Sequence, residues 1–405
     1  MSLLSTDSSE LRFSYADQLL LRELRGQRSR LSIKKIVRPA LQLGTRAERK
    51  ALLYYRNLPA PAHLQTEDPF VDDDLFAAVI RHRAGKTRWE AAWHLQGDIR
   101  VADDFSFVFA NNRVVPGSWG LSHGGGVRAM WRSRVGQLTG RPTLRAECAI
   151  LLGDLGNPNY WHLLHDILPR LAMAEALELD PTIPIVVSEA MMKVHGERLR
   201  GTSLLTGRTV IVQPHDQTFC CKRLFLLCSG EFASHWARKL VARIPAAPGV
   251  SVNSRLIYCR REPEHSVGRI AENYFEIEEM FRAAGFMVVS PGSMTLIQQK
   301  AIFEQAEIIA GINGAAFANA LFRYGKPLTI GALVPSSWVD TTIPTMAKVF
   351  GFRYAGFVIP SVTKDPNSSV LVPRDTASRL IEWLLNSGAY MHWISAMPVW
   401  YCPRS

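Results

Sequence analysis

"EIIAGINGAAFANALF", residues 307–322, decides the fold. The apolar run EIIAGI ends at Ile312, four small or polar residues follow, and a helical pattern begins at Phe317. An apolar run of this length bounded by turn residues reads as a buried strand, so the stretch is a strand, a tight turn and a helix. Gly311 and Gly314 let the backbone come close to a ligand, and the N–H groups that open a helix favour an anion. The stretch is neither a P-loop nor a G-x-G-x-x-G loop: Gly325-Lys326-Pro327 lacks the Ser/Thr and the upstream glycine that a P-loop needs. A tight βα turn with no ligand fits the same letters.

The same alternation extends both ways. Downstream of 254 come the strand SRLIYCRR, the helix AENYFEIEEMFRAAG, the strand FMVVS, the helix TLIQQKAIFEQA and, after the opening stretch, the strand PLTIGALV. Strands that alternate with helices predict a parallel, doubly wound sheet. Upstream, ECAILLGD, IPIVVS, TVIVQP and RLFLLCS read as strands, with a helix over 159–171 after the first of them. RIPAAPGVSVNS, 243–254, reads as a linker. The predicted organisation is a basic helical extension over 1–65, an α/β domain over 66–247, a Rossmann-like domain over 250–372 and a helical segment over 373–405. Two doubly wound α/β domains of this kind are expected to face a cleft, with ligand outside the carboxyl ends of the strands.

Composition narrows the class. Hydrophobic residues make up 47% of the 405 positions and charged residues 20%, a globular balance. No apolar run reaches the ~18 residues of a membrane span. The six cysteines show no C-x-x-C pair, which predicts reduced, buried thiols and a cytoplasmic chain. Ten Lys/Arg against two Asp/Glu over 21–50 carry most of the net charge of +11. With Ile33, Ile36, Val37 and Leu41 on one helical face, this segment predicts a peripheral contact with an anionic membrane, the inner face of the plasma membrane. A solvated arm packed on the domain is the alternative. No recognition motif accompanies the charge, so no nucleic acid partner is expected.

"NYWHLLHDILPRL", 159–171, carries His162, His165 and Asp166 inside an apolar segment. Desolvated polar groups need partners. His162 and Asp166 are four apart and share a helical face, either as a self-satisfying pair at the core edge or as a general base. Pro169 is expected to kink or end the regular helix. Arg260 and Arg261 close a strand at the expected cleft edge, with Arg269 following, and arginine suits a diphosphate. His123-Gly124-Gly125-Gly126 looks like the oxyanion loop of lipases, but the chain has no G-x-S-x-G elbow. Asp72-Asp73-Asp74 and Asp103-Asp104 read as a helix-start charge run and a turn, so no metal site is expected.

Together these motifs resemble glycosyltransferase family 61, whose bacterial members include capsular polysaccharide biosynthesis proteins. Asn159, His162 and Asp166 with Leu168-Pro169-Arg170-Leu171 are similar to its N-x-x-H-x-x-x-D and LPRL pattern. Arg260-Arg261 are similar to its strand-end arginines, Arg269, Asn273 and Glu276-Ile277 to its R…N-E-x-E-[IL] helix, and Gln299 to its E-Q. Gly311, Gly314, Ala315, Asn319 and Phe322 match G-x-H-G-A-x-x-x-N-x-x-F. The chain departs from the family at Asn313 (His), Tyr274 (Glu) and Gly331 (often acidic).

The resemblance implies a GT-B architecture and an inverting transfer from a nucleotide-sugar donor to a glycan or lipid-linked glycan acceptor, with no cofactor and no metal. It implies catalysis by His162 and Asp166. It implies substrate binding by Asn159, Arg260, Arg261, Arg269, Asn273, Gln299, Gly311, Asn313, Gly314, Ala315 and Asn319. The alternatives are a degenerate, non-catalytic sugar-nucleotide-binding protein and a different nucleotide-dependent enzyme such as an oxidoreductase.

Overall fold

The computed structural model describes residues 52–58, 70–71, 88–101, 108–110, 113–114, 143–152, 159–215, 217–228, 234–245, 247, 250, 252–261, 268–338, 340, 342–363, 365 and 367–394. The basic segment 21–50, the glycine loop 123–126 and the acidic pairs and triplets at 72–74 and 103–104 lie outside them. The chain is mixed α/β and divides into two compact units, one within Met1–Leu58 and Arg88–Arg243, the other within Pro59–Thr87 and Ile244–Ser405.

The first unit holds an eight-stranded sheet. Its strands are β1 (Leu52–Leu58), β3 (Arg88–Val101), β4 (Val108–Ala110), β5 (Arg113–Val114), β6 (Thr143–Leu151), β7 (Ile185–Ser188), β8 (Val210–Gln213) and β9 (Thr218–Cys228). Their order is β5-β4-β3-β9-β6-β7-β8, with β1 also on β3. β9, β6, β7 and β8 run parallel, as expected. The rest is antiparallel, which departs from the doubly wound expectation. For β3-β4 and β4-β5, connection length is the reason. Six residues separate β3 from β4 and two separate β4 from β5, and neither gap has room for a crossover helix. β1 also lies inside the segment expected to be helical: of Leu-Leu-Tyr-Tyr-Arg-Asn-Leu only Tyr54 and Tyr55 favour a strand by propensity, and pairing with β3 decides it.

The second unit is a six-stranded, all-parallel sheet. β10 (Leu256–Cys259), β11 (Met287–Val289), β12 (Ile308–Ile312), β13 (Thr329–Pro335), β14 (Arg353–Ile359) and β2 (Phe70–Val71) stand in the order β11-β10-β12-β13-β14-β2. Leaving β2 aside, this is the 2-1-3-4-5 order of a doubly wound sheet. β12 and β13 are buried along their whole length, as central parallel strands covered on both faces must be. β2 was expected in the first domain. Two residues carry too little pattern to reveal a partner.

Each sheet has its own core. In the first unit Ile99, Val101, Ala149, Leu151, Val186, Phe219 and Leu224 pack on one face. In the second, Tyr258 stacks on Phe281 at 4.2 Å, and Phe281 meets Phe286 edge-on at 5.1 Å. Cys148, Cys220, Cys221 and Cys259 are buried free thiols, and burial pushes Cys221 up to about 12.

Helix Arg374–Ile394 lies so close on β13 that a Cβ at Gly331 would sit 2.8 Å from Leu384 Cδ1 and 2.9 Å from Leu380 Cδ1. That spacing leaves no room for the acidic residue that the resemblance places there. Gly331→Ala is therefore expected to cost about 1–3 kcal/mol through overpacking. Thermal melting should fall by about 2–4 °C per kcal/mol. An unchanged melting temperature would mean that the helix does not bear on β13.

Candidate functional site

In a doubly wound sheet, ligands gather at the carboxyl ends of neighbouring strands whose connections leave in opposite directions. In the first unit β6 has β7, to which it connects, on one side and the parallel strand β9 on the other. The segment 159–176 opens eight residues after β6. Asn159 caps it, its Oδ1 accepting the Trp161 N–H at 2.9 Å. Tyr160–His162 is α-helical, Leu163–Ile167 is a π turn, and Leu168–Ala176 is α-helical again. Pro169 does not end the helix. It has no N–H to extend the i→i−4 ladder. The chain accommodates it by widening the turn before it, so that the Leu168 N–H reaches the Leu163 carbonyl. Such π turns are frequent at functional sites.

The π turn carries Asp166, whose Oδ2 is 2.5 Å from His162 Nδ1. Both side chains are about four-fifths buried, at 17% and 19% exposure. Burial alone would raise the Asp166 carboxyl. The His162 hydrogen bond, then the positive fields of His162, Arg170 and His165, outweigh it and hold the carboxyl below its ordinary range. A carboxylate at Nδ1 keeps a proton on that nitrogen, which makes Nε2 the basic atom of the neutral ring. Around the pair, Trp161 stacks on buried His165 at 4.4 Å, and buried Arg170 donates to the Leu152 carbonyl at the end of β6.

In the second unit the switch point lies between β10 and β12, with β11 on the far side of β10. Cys259 pairs with Gly311 there, and a Cβ at Gly311 would be 2.8 Å from the Cys259 carbonyl oxygen. Arg260 and Arg261 follow β10; Asn313 and Gly314 follow β12.

The two arginines are used differently. Arg260 donates from Nε to Glu278 Oε1 at 2.8 Å, and its guanidinium lies 5.7 Å from the Tyr274 ring. Glu278 is buried and also accepts from Arg282. Arg261 crosses the switch point instead. Its Nε donates to the Gly268 carbonyl at 2.9 Å and its Nη1 to the Asn313 carbonyl at 3.3 Å. A Cβ at Gly314 would be 2.1 Å from that Nη1, so glycine makes the room for it. Burial, then the like charge of Arg269, pushes Arg261 down to about 9, still a cation at neutral pH. Arg269 holds a left-handed backbone, φ 57°, and its guanidinium lies 5.4 Å from the ring of exposed Trp338.

Asn313 is 1% exposed. Its backbone N–H bonds the Leu333 carbonyl at 2.8 Å, while neither its Nδ2 nor its Oδ1 has a partner among the described residues. Asn273, Gln299 and Asn319 are engaged with the protein. Asn273 clamps the Val372 backbone from both sides and donates to Glu276. Gln299 accepts from Asn319 at 2.8 Å, tying helix Leu296–Phe303 to the segment Ala315–Arg323. That segment is a 3₁₀ helix, with Ala315 half-exposed at its start.

Residues 160–330 match the glycosyltransferase 61 family. No curated protein matches the chain. The glycosyltransferase 61 match opens one residue after the Asn159 cap and closes one residue before Gly331. It takes in the His162–Asp166 pair and both sides of the second switch point, and it supports a glycosyltransferase. Sequence reasoning missed Glu278 and Trp338. A buried Glu278 was readable only as one more acid in Phe-Glu-Ile-Glu-Glu-Met, although its i,i+4 spacing to Arg282 was visible.

Proposed function

We propose that this protein is an inverting glycosyltransferase that moves a sugar from a nucleotide-sugar donor to a hydroxyl of a glycan or lipid-linked glycan acceptor, in capsular or extracellular polysaccharide synthesis. The observation that carries the reading is Arg261. It sits at the switch point of the second sheet, beside Arg269, and among the described residues its hydrogen bonds go only to carbonyl oxygens. A cation held by neutral acceptors next to a second cation suits a diphosphate.

In this reading the acceptor oxygen attacks the anomeric carbon and forms the new glycosidic bond. The bond from that carbon to the diphosphate oxygen breaks, and the electron pair leaves with the diphosphate. The acceptor proton passes to His162 Nε2, and Asp166 holds the resulting imidazolium. Arg261 and Arg269 stabilise the departing charge. The basic segment 21–50 supports a peripheral contact with an anionic membrane that carries the acceptor.

Asn313 favours a second reading, non-catalytic binding of a sugar nucleotide, because an amide transfers no proton where the resembled family has His. A thermal-shift panel of UDP, GDP, CMP and NAD(P), followed by a donor-consumption assay, tests both. Ligand at about 100 Kd stabilises by about 2.7 kcal/mol, a shift of several degrees. A shift with one nucleoside diphosphate and turnover of its sugar is expected. A shift with NAD(P) alone, or with nothing, overturns the transferase; binding without turnover favours the second reading.

A further inference from the structure

We propose that the Asn313 side chain binds a donor hydroxyl next to the diphosphate, on the ribose or the transferred sugar, and does not bind a phosphate oxygen. The proposal rests on the diphosphate reading of the second switch point. Asn313 is fully buried, its backbone is pinned by the Leu333 carbonyl and by Arg261, and both amide atoms lack a partner among the described residues. A buried amide left unpaired in this way is destabilising, so a chain that keeps one has a use for it.

The chemistry of the two atoms selects the ligand. Nδ2 only donates and Oδ1 only accepts. Phosphate oxygens only accept at neutral pH, so a phosphate would satisfy Nδ2 and leave Oδ1 orphaned. A hydroxyl donates and accepts, and a vicinal pair satisfies both amide atoms together. Position narrows it further. The Asn313 backbone carbonyl is 3.3 Å from Arg261 Nη1, so the residue sits beside the site proposed for the diphosphate. The half-exposed residues Gly314, Ala315 and Ala316 follow immediately. The family resembled at this point has His, and exchanging it for Asn keeps hydrogen bonding while removing charge.

The test is calorimetric titration of full-length wild type, Asn313→Leu and Asn313→Ala with inorganic pyrophosphate, with a nucleoside diphosphate that the wild type binds, with its 2′-deoxy form and with its sugar conjugate. Leu has the branched outline of Asn, is somewhat larger, and needs no partner. Asn313→Leu should therefore melt higher than wild type without ligand, bind pyrophosphate within about two-fold, and lose about 10- to 100-fold for the hydroxyl-bearing probe. If the 2′-deoxy compound already shows the loss in wild type, the group is on the ribose; if only the sugar conjugate is affected by substitution, it is on the sugar. Asn313→Ala should show the same split if Leu does not fold. A lower melting temperature with all affinities unchanged means that an internal water or a protein group satisfies the amide, and overturns the proposal. Equal losses for pyrophosphate and the hydroxyl-bearing probes also overturn it. Wild type that binds neither pyrophosphate nor any nucleotide overturns the diphosphate reading itself, a result distinct from either.

Discussion

Asp166→Asn is expected to lower turnover by about 10²–10⁴-fold while leaving donor affinity within about two-fold. The carboxylate is 2.5 Å from His162 Nδ1 and is held below its ordinary range, so at neutral pH it is an anion that fixes the ring's proton on Nδ1. Asn carries no charge. It can also donate its own N–H to Nδ1, which moves the ring proton to Nε2 and abolishes the basic nitrogen. The lowered carboxyl also makes the stability of the pair depend on pH. The folded Asp166 pKa lies below the ordinary 3.8, so its contribution to stability is present above 3.8 and is lost as pH falls through the lower folded value. The gap in melting temperature between wild type and Asp166→Asn should therefore be largest near neutrality and close in acid. Turnover at neutral pH and melting across the acid range are the two measurements. A variant that melts early but turns over normally at low temperature would make the pair a core-edge contact, with the base elsewhere.

Much of this was legible in the letters, and the rest failed for identifiable reasons. β12 and β13 are apolar at nearly every position, the pattern of a strand covered on both faces, and EIIAGI and PLTIGALV show it between their turn residues. The i,i+4 spacing of His162 and Asp166 was enough to predict the pair, because a π turn and an α turn both bring those positions within reach. The π turn was not legible. It is one way of several to absorb Pro169, and the choice rests on packing around Leu163, Leu164 and Leu168, all buried. The antiparallel half of the first sheet was lost because period-2 and apolar-run signals mark strands without marking direction. At the second switch point, Arg260 and Arg261 are neighbours with the same side chain. In an extended chain they face opposite ways, and only the tertiary position of Glu278 shows which of them is committed to the protein.

That difference gives the second large effect: the two adjacent arginines should fail in opposite ways. Arg261→Ala removes a guanidinium that the described protein neutralises with no carboxylate, so the fold loses two bonds to carbonyl oxygens and gains relief from the like charge of Arg269. Its melting temperature should stay within a few degrees of wild type. Diphosphate affinity should fall about 10- to 100-fold, the worth of a charge-assisted contact of ~1.5–3 kcal/mol. Arg260→Ala leaves Glu278, whose side chain is 2% exposed, with Arg282 as the remaining arginine of the pair of bridges it makes. Breaking a buried ion pair from one side costs about 3–5 kcal/mol, and the surviving Arg282 bridge brings the expected cost to the lower end of that range. Melting should fall by several degrees, while affinity measured below the transition stays close to wild type. Arg260→Ala paired with Glu278→Leu should recover most of the lost melting temperature, since the buried carboxylate is then gone with its partner. Titration with inorganic pyrophosphate and a thermal melt on the same samples decide the matter. If Arg260→Ala weakens pyrophosphate as much as Arg261→Ala does and melts normally, then Arg260 leaves Glu278 to bind the ligand, and both arginines belong to the anion site.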